Sequence, residues 1–201
     1  MPSLTEPEIE RLLAPYTNEN SRLAGKMAEY LDLLLHWNAR TNLTAIRQPE
    51  AIVQRHFGES LFAAANLGES LPDTLLDLGS GAGFPGVPIA LAHPGIAVTL
   101  AESQNKKSTF LREAIRTLGA KNVEVWAERA ESFPADRNFH TVAMRAVDDM
   151  AAALRAATPL AGSQLLLLTT GTPALPEVFR LTASVPIPGS DTGVLILAAK
   201  G

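Results

Sequence analysis

The first 70 residues carry the hydrophobic spacing of helices. A short helix is predicted after Thr5, which has the side chain of an N-cap, and apolar residues then recur at helical spacing from 21 to 37. A polar stretch from 38 to 47 is predicted to be a loop, and a further helix is predicted from 49 to 66. We therefore expect a helical N-terminal extension over residues 1–70.

After Pro72 the pattern changes to short apolar runs that alternate with helical spacing. Strands are predicted at 74–78, 97–101, 123–126, 141–144 and 165–169, and helices at 88–93, 106–118 and 148–157. This alternation is typical of a doubly wound, parallel sheet. Two last apolar runs, 179–185 and 194–198, flank a turn and are predicted to form an antiparallel hairpin at the edge of the sheet. Residues 71–201 are thus predicted to be one Rossmann-like α/β domain.

The predicted first strand ends in a glycine-rich turn, and residues 75–86 read LLDLGSGAGFPG. Glycines here let the backbone turn sharply and approach a ligand without a Cβ in the way. A strand, a glycine turn and a helix start form a nucleotide-type site at the carboxyl edge of a sheet. The residues fit the GxGxxG dinucleotide pattern, but they also suit a methyl donor or a tight turn without a ligand.

Two acids lie near the turn, and the first of them favours the methyl donor, whereas the second also fits the dinucleotide pattern. Asp77 comes directly before the glycines, where its charge would repel a pyrophosphate and attract the sulfonium and ammonium groups of S-adenosylmethionine, directly or through water. Glu102 follows at roughly the ~20-residue distance expected of an acid that binds ribose hydroxyls. An NAD-dependent oxidoreductase remains a rival, although no acid for hydride transfer is evident.

Composition narrows the chemistry. The chain has 201 residues, enough for one α/β domain with an appendage, and no cysteine, so disulfides and thiolate nucleophiles are excluded. Its four histidines lack the spacing of metal ligands, and we expect no metal. The polar, acidic start and the lack of an apolar run of ~20 residues predict a cytoplasmic protein that does not enter a membrane.

The net charge of −4 is not that of a general polyanion binder, so contact with nucleic acid must come from local basic patches. Three arginines lie between 40 and 56, and five basic residues lie between 104 and 121. The candidates for RNA contact are Arg40, Arg47, Arg55, His56, Lys106 and Lys107. A solvated helix face is the alternative for Lys107 and for its neighbours Arg112 and Arg116.

Several separate motifs in fixed order resemble one known family. They are Trp37-Asn38 with Asn42-Leu43-Thr44, His56-Phe57 with Ser60-Leu61, the loop LLDLGSGAGFPGVPIA, Glu102-Ser103 with Lys106-Lys107, Arg129-Ala130-Glu131 and Arg145-Ala146-Val147. From about residue 32 onward the chain resembles the ribosomal RNA small subunit methyltransferase G family, also called glucose-inhibited division protein B. The resemblance implies a class I S-adenosylmethionine-dependent methyltransferase fold and methylation of N7 of a guanine in 16S rRNA, either free or in the small ribosomal subunit.

The chain departs from the family pattern at three points. The fifth strand ends in Thr170-Gly171 where the family usually has Lys-Gly, so a cation expected near the substrate is missing. The acid before Ser60-Leu61 is Glu59 where the family usually has Asp. The C-terminal third is also shorter than usual. These departures bear on RNA affinity and target choice rather than on the donor site.

The resemblance assigns roles along the carboxyl edge of the sheet. We expect Gly79, Gly81 and Phe84 to shape the methionine end of the donor site, with Asp77 close by and Glu102 on the ribose. The adenine would be bounded by Ala130 and Glu131. Phe84 could instead be a core residue, and Glu131 an acid at a helix start.

Arg145 ends the predicted fourth strand, where donor and acceptor must meet, and we expect it to position substrates rather than to transfer a proton. Guanine N7 has a lone pair and no proton, so no general base is needed, and alignment with electrostatic preorganisation supplies the rate. A structural ion pair is the alternative for Arg145. As whole functions, a methyltransferase for a small molecule or protein and a non-catalytic RNA-binding module stay open, and we expect a monomer.

Overall fold

A computed structural model describes residues 3–68 and 70–201. Within this part of the chain seven strands form one sheet, in the order β3-β2-β1-β4-β5-β7-β6. The strands are β1 Thr74–Leu78, β2 Ala97–Ala101, β3 Val123–Trp126, β4 Phe139–Arg145, β5 Ala161–Thr170, β6 Phe179–Pro186 and β7 Gly193–Lys200. The first five are parallel, and β7 pairs antiparallel with both β5 and β6. The predicted mostly parallel α/β sheet with an antiparallel C-terminal hairpin is confirmed.

Helices precede the sheet and connect its parallel strands. They are α1 Glu6–Leu13, α2 Asn20–Asn38, α3 Pro49–Ile52, α4 Glu59–Ala65, α5 Gly86–Ala92, α6 Asn105–Leu118 and α7 Met150–Ala157. Thr5 caps α1 as predicted, with Glu8 reaching back to its backbone amide. Gly119 ends α6 in the left-handed conformation, at φ +64°, which glycine adopts without strain.

The predicted helix from 49 to 66 is divided in the structure. Between α3 and α4 the residues Val53–Gly58 form a π-helical turn. Such turns are rare and recur at functional sites, since the extra residue per turn changes which side chains face inward. Here His56 and Phe57 are buried, and Gly58 lies so close to the Tyr16 ring that a Cβ would stand 2.7 Å from it.

The helical extension and the sheet share one hydrophobic core. Tyr30 of α2 is fully buried and stacks on Phe57 of the π-helical turn, on Phe84 of the glycine turn and on Phe110 of α6. Residues from α1 to β7 belong to the same cluster of buried side chains. A second cluster lies around α7 and includes Val142 and Leu165. The extension is therefore packed on the edge of the sheet where the glycine turn lies.

No helix in the described ranges is long and apolar enough to cross a membrane.

Candidate active site

The glycine turn follows β1 at the carboxyl edge of the sheet. Gly79, Gly81 and Gly83 have φ angles of +74°, +57° and +85°, which residues with a Cβ rarely adopt. The carbonyl oxygen of Ala101, at the end of β2, accepts hydrogen bonds from the amides of Gly79 and Ser80, each at 3.0 Å. The neighbouring strand thus holds the turn in place.

A cavity of about 450 Å³ opens beside this turn, and we call it the glycine-loop cavity. A Cβ on Gly79 would meet no atom within 4 Å, so the space next to the backbone is free. The cavity is lined by Leu78, Gly79, Ala101, Glu102, Ser103, Glu128, Arg129, Ala130, Glu131, Arg145, Ala146, Val147, Asp149, Ala152, Ala153 and Ala156. Five of the predicted donor residues are therefore in its wall, namely Gly79, Glu102, Ala130, Glu131 and Arg145.

Glu102 directly follows β2 and is buried at the floor of the glycine-loop cavity. One carboxylate oxygen, Oε2, accepts a hydrogen bond from the Gly81 amide at 3.1 Å, and Oε1 accepts one from the Gln104 amide at 2.8 Å. These contacts fix the carboxylate, and each oxygen keeps a second lone pair for a ligand hydroxyl. The position suits the predicted ribose contact.

Asp77 lies elsewhere than the sequence interpretation placed it. Its side chain is fully buried beneath the turn, with Oδ2 accepting a hydrogen bond from the Gly86 amide at 2.9 Å, and it is absent from the wall of the glycine-loop cavity. Oδ1 is buried without a hydrogen-bond partner among the described residues. Burial raises the pKa of Asp77 to about 7, and the Gly86 hydrogen bond opposes that rise. Asp77 thus organises the turn from below instead of facing a ligand.

The buried Asp77 makes stability depend on pH. The folded protein keeps this proton up to about pH 7, whereas the unfolded chain releases it near the ordinary pKa of 3.8, so folding loses stability as the pH rises between these values. We expect Asp77→Asn to remove that loss. Its free energy of unfolding in urea, relative to the natural chain, should rise by about 2 kcal/mol between about pH 5 and about pH 8.

The control for this prediction is Asp73→Asn, because Asp73 is an exposed carboxylate at the opposite end of the same strand. The pH-dependent gain should be specific to Asp77→Asn, and a difference that stays constant with pH for that variant would contradict the buried, protonated carboxyl.

His56 and Phe84 form the contact between the extension and the glycine turn. The two rings stack with their centroids 4.9 Å apart, and Phe84 also packs against Tyr30 and Phe57. His56 is 8% exposed, and its Nε2 lies 2.7 Å from Thr44 Oγ1. His56, a predicted candidate for RNA contact, thus lies in the π-helical turn with its ring buried. Phe84 is a core residue absent from the wall of the glycine-loop cavity, as its alternative interpretation held.

Arg145 ends β4 and lies at the junction of extension, sheet and cavity. One of its terminal nitrogens is 2.6 Å from His56 Nδ1, its Nε is 3.4 Å from Glu59 Oε2, and its guanidinium lies 5.8 Å from the Phe84 ring centre. Burial lowers the pKa of Arg145, and Glu59 opposes that effect. Burial and the two arginines, Arg145 and Arg55, lower the pKa of His56 to about 3. A neutral imidazole therefore accepts a hydrogen bond from the guanidinium.

A second cavity, of about 360 Å³, adjoins the first, and we call it the hairpin cavity. It is bounded by Arg55 and Glu59 of the extension and by the last residues of β5. Its outer wall comes from the 187–193 turn between β6 and β7, and it shares Arg145 and Ala146 with the glycine-loop cavity. Ala146 has a φ of +50°, an uncommon conformation for a residue with a Cβ and one that is often found at active sites. The sequence indicated this region only through Glu59 and Thr170, the two departures from the family pattern that line the second cavity.

The predicted RNA-contact residues are spread over the surface. Arg40, Arg47, Arg55 and Lys106 are exposed and Lys107 is partly buried. Arg47 donates hydrogen bonds to the Asn38 carbonyl and the Asn42 side chain, and Arg55 donates to Glu59 at 2.8 Å. Arg40 lines a separate small cavity with Trp37, whose indole donates to Glu113 at 3.1 Å. Only Arg55 in this set lines one of the two adjoining cavities.

Within residues 3–68 and 70–201, no cluster of three or more His, Asp or Glu side chains could hold a metal ion.

Solved structures share this architecture at low sequence identity. A crystal structure of MtNAS in complex with MTA and tNA is 16% identical with a TM-score of 0.60, over 99% of this chain and 83% of that one. The glycopeptide N-methyltransferase MtfA in complex with S-adenosylmethionine is 15% identical with a TM-score of 0.56, over 73% of this chain and 94% of that one. The strand order with its glycine turn is the fold of class I S-adenosylmethionine-dependent methyltransferases. Within that class the chain belongs to the rRNA small subunit methyltransferase G family, whose model matches residues 24–186.

Curated relatives carry the name of the same family. A ribosomal RNA small subunit methyltransferase G from Stenotrophomonas maltophilia is 42% identical over 68% of this chain and 63% of the relative. The relatives from Roseiflexus sp. and Xanthomonas oryzae pv. oryzae are 36% and 35% identical over 90% and 86% of this chain, and over 85% and 84% of their own lengths. The chain thus spans under two thirds of the Stenotrophomonas relative.

Proposed function

We propose that the protein is an S-adenosylmethionine-dependent methyltransferase that methylates N7 of a guanine in 16S rRNA, free or in the small ribosomal subunit. The observation that carries this proposal is the glycine-loop cavity, whose open backbone, buried Glu102 and shared Arg145 stand at the carboxyl edge of the sheet. Membership of the family supports the same activity and substrate.

The wall of the glycine-loop cavity fits a cationic donor. Its acidic side chains outnumber its arginines, since Glu102, Glu128, Glu131 and Asp149 face Arg129 and Arg145. Such a wall attracts a sulfonium and an ammonium and repels a pyrophosphate, which argues against NAD. The free space beside Gly79 would take the methionine end, Glu102 the ribose hydroxyls, and Ala130 with Glu131 the adenine.

The residues need only orient the reactants. S-adenosylmethionine supplies a methyl group that is already activated by the sulfonium. Guanine N7 has a lone pair and no proton, so the chain requires no general base, and alignment in a preorganised site can supply the rate. Arg145, held by Glu59 and His56, is in the wall that both cavities share and is the positioning residue of this arrangement.

Replacing Glu102 should weaken donor binding. Glu102→Ala removes the carboxylate proposed to accept from the ribose and frees the Gly81 amide, so we expect S-adenosylmethionine to bind about 10- to 100-fold less tightly in calorimetry. The matched control is Glu177→Ala, an exposed carboxylate absent from the cavity wall. Equal donor affinity in a folded Glu102→Ala protein would refute the ribose contact.

The proposed function is tested by transfer of a labelled methyl group from S-adenosylmethionine to small-subunit rRNA, or to subunits, from a strain that lacks the modification. We expect labelled 7-methylguanosine on chromatography of the nucleosides. Confirmed donor binding without any labelled RNA would instead favour another acceptor or a non-catalytic RNA-binding module. RNA affinity should also fall linearly with the logarithm of salt concentration, which a small neutral acceptor would not show.

The remaining assignments follow from the same proposal. The exposed Arg40, Arg47, Arg55 and Lys106, with the partly buried Lys107, are proposed to contact RNA phosphates. Residues 1–70 would carry most of these contacts, and residues 71–201 the donor site. We also propose that the protein acts as a monomer, and the rRNA substrate supports a cytoplasmic location.

A further inference from the structure

We propose that the hairpin cavity receives the target guanine and that Arg145 and Glu59 together read its edge, which selects guanine against adenine. This inference rests on the proposed function and extends it to the residues that recognise the acceptor base. It assigns a binding role to Glu59, a side chain of the extension that the sequence marked only as a departure from the family pattern.

The position of the hairpin cavity suits an acceptor. It adjoins the glycine-loop cavity, and Arg145 and Ala146 form the shared wall. A base in the hairpin cavity would therefore have one edge next to the donor site. At about 360 Å³ the cavity has room for one base, which would enter it unstacked, as for other enzymes that modify a base. Leu168 and Ile187 supply apolar surface for the ring faces.

The Arg145–Glu59 pair matches the guanine edge in chemical order. Guanine presents the acceptor O6 next to the donors N1–H and N2–H₂, whereas adenine presents a donor at N6 next to an acceptor at N1. Arg145 Nε stands 3.4 Å from Glu59 Oε2 and both side chains line the cavity, so the remaining N–H donors of the guanidinium lie beside a carboxylate acceptor. Guanine would pair O6 with Arg145 and N1–H with Glu59. Adenine would place its N6 donor opposite the Arg145 donor and its N1 acceptor opposite the Glu59 carboxylate.

The same two hydrogen bonds would also direct guanine N7 toward the methyl donor. O6 and N7 lie on the same edge of guanine, so a base with O6 on Arg145 places N7 at the wall between the cavities. The contact of Arg145 with His56 Nδ1, at 2.6 Å, prevents the guanidinium from turning away. His56 is in turn fixed by Thr44 and by its stacking on Phe84, so the Arg145 guanidinium is preorganised before RNA binds.

A carboxylate at N1–H also favours the transition state. As the methyl group bonds to N7, positive charge develops on the purine and N1–H becomes a stronger hydrogen-bond donor. Its bond to Glu59 therefore strengthens between ground state and transition state, which is the condition for an interaction to raise the rate. Arg55, which donates to Glu59 Oε1 at 2.8 Å, leaves each carboxylate oxygen with a lone pair for the base.

The test uses guanosine and adenosine monophosphates as probes of the ¹⁵N-labelled protein saturated with S-adenosylhomocysteine, which keeps the nucleotides out of the donor site. We expect guanosine monophosphate to shift the resonances of Ala146, Thr170 and Gly193 and to bind at least about tenfold more tightly than adenosine monophosphate. Glu59→Gln, which turns an acceptor pair into an acceptor and a donor, should abolish that preference. Glu59→Asp, with the acid usual in the family, should keep it.

Glu124→Gln is the matched control, because Glu124 pairs with the exposed Arg137 and is absent from the walls of both cavities. Equal affinity for both nucleotides, or no saturable shift at the hairpin cavity, would overturn the inference. So would methylation of rRNA by Glu59→Gln at the natural rate. If the natural chain selects guanosine monophosphate but labels no RNA, the proposed function fails and the base-reading pair stands.

Discussion

Arg145→Ala should reduce methyl transfer to rRNA by on the order of 10²-fold in kcat, as expected for removal of one preorganised group beside the reacting atoms. Arg145 is in the wall of both cavities and is 11% exposed, so the substitution removes a largely buried guanidinium that the two cavities share. The substitution also leaves His56 Nδ1 without its donor, whereas Glu59 keeps Arg55. We therefore expect a folded protein with a moderate loss of stability and a much larger loss of turnover.

Two variants make this expectation specific. Arg145→Lys keeps the charge but has no planar fork, so it cannot hold Glu59 and His56 together, and we expect its turnover to fall between those of the natural chain and Arg145→Ala. Arg137→Ala removes an exposed arginine from a surface pair and should leave turnover unchanged, with a change in stability below about 1 kcal/mol. Natural turnover in a folded Arg145→Ala protein would return Arg145 to a purely structural role.

The regular part of the fold could be predicted from local sequence. The strands β1, β2 and β3 begin and end at the predicted residues, because each is a short apolar run closed by a turn or an acid. The fifth strand was predicted at 165–169 and extends over Ala161–Thr170. Pairing with β4 on one side and with β7 on the other lengthens it, and partners far along the chain leave no mark in the local pattern.

The site could be predicted only in part. Residues at the ends of strands could be placed from the sequence, whereas contacts between the extension and the sheet could not, and this difference has a physical reason. Gly79, Glu102 and Arg145 end strands or follow them directly, and parallel strands bring their carboxyl ends to one edge, so their place in a common cavity follows from the topology. The inward turn of His56 and the place of Glu59 beside Arg145 depend on the π-helical turn and on contacts between residues more than 80 positions apart. No periodicity encodes those contacts.

Asp77 belongs to the glycine turn, as the sequence indicated, but its carboxyl group lies in a different place from the predicted one. The sequence interpretation placed its charge in front of the glycines, since it precedes them directly. In the structure the turn folds over the carboxyl group, and Gly86 approaches so closely that a Cβ would stand 2.7 Å from Oδ2. Asp77 and Leu100 both lie where a Cβ at position 86 would stand, so a glycine is required there, and we propose that the acids in the cavity wall attract the cationic donor instead.

Gly83→Ala should destabilise the protein by roughly 3 kcal/mol or more, the largest loss that we expect from a single added methyl group. The backbone at Gly83 has a φ of +85°, so an alanine is strained there whatever the space. The space is also occupied, because the new Cβ would stand 2.3 Å from the Tyr30 hydroxyl and 2.8 Å from Val87 Cγ2. Tyr30 cannot move aside, since its ring is fully buried among three aromatic rings and its hydroxyl donates to the Ala82 carbonyl.

A double-mutant cycle separates the two causes. Tyr30→Phe removes the oxygen nearest to the new Cβ, so Gly83→Ala should be less destabilising by about 1 to 2 kcal/mol in that background when unfolding in urea is followed. The rest of the loss should persist, because the backbone strain does not depend on Tyr30. Gly95→Ala is the control, with nothing within 4 Å of its Cβ, and should change stability by under about 0.5 kcal/mol. Full additivity in the cycle would mean that the turn moves away from Tyr30, and the packing of the extension on the donor site would then be looser than the structure has it.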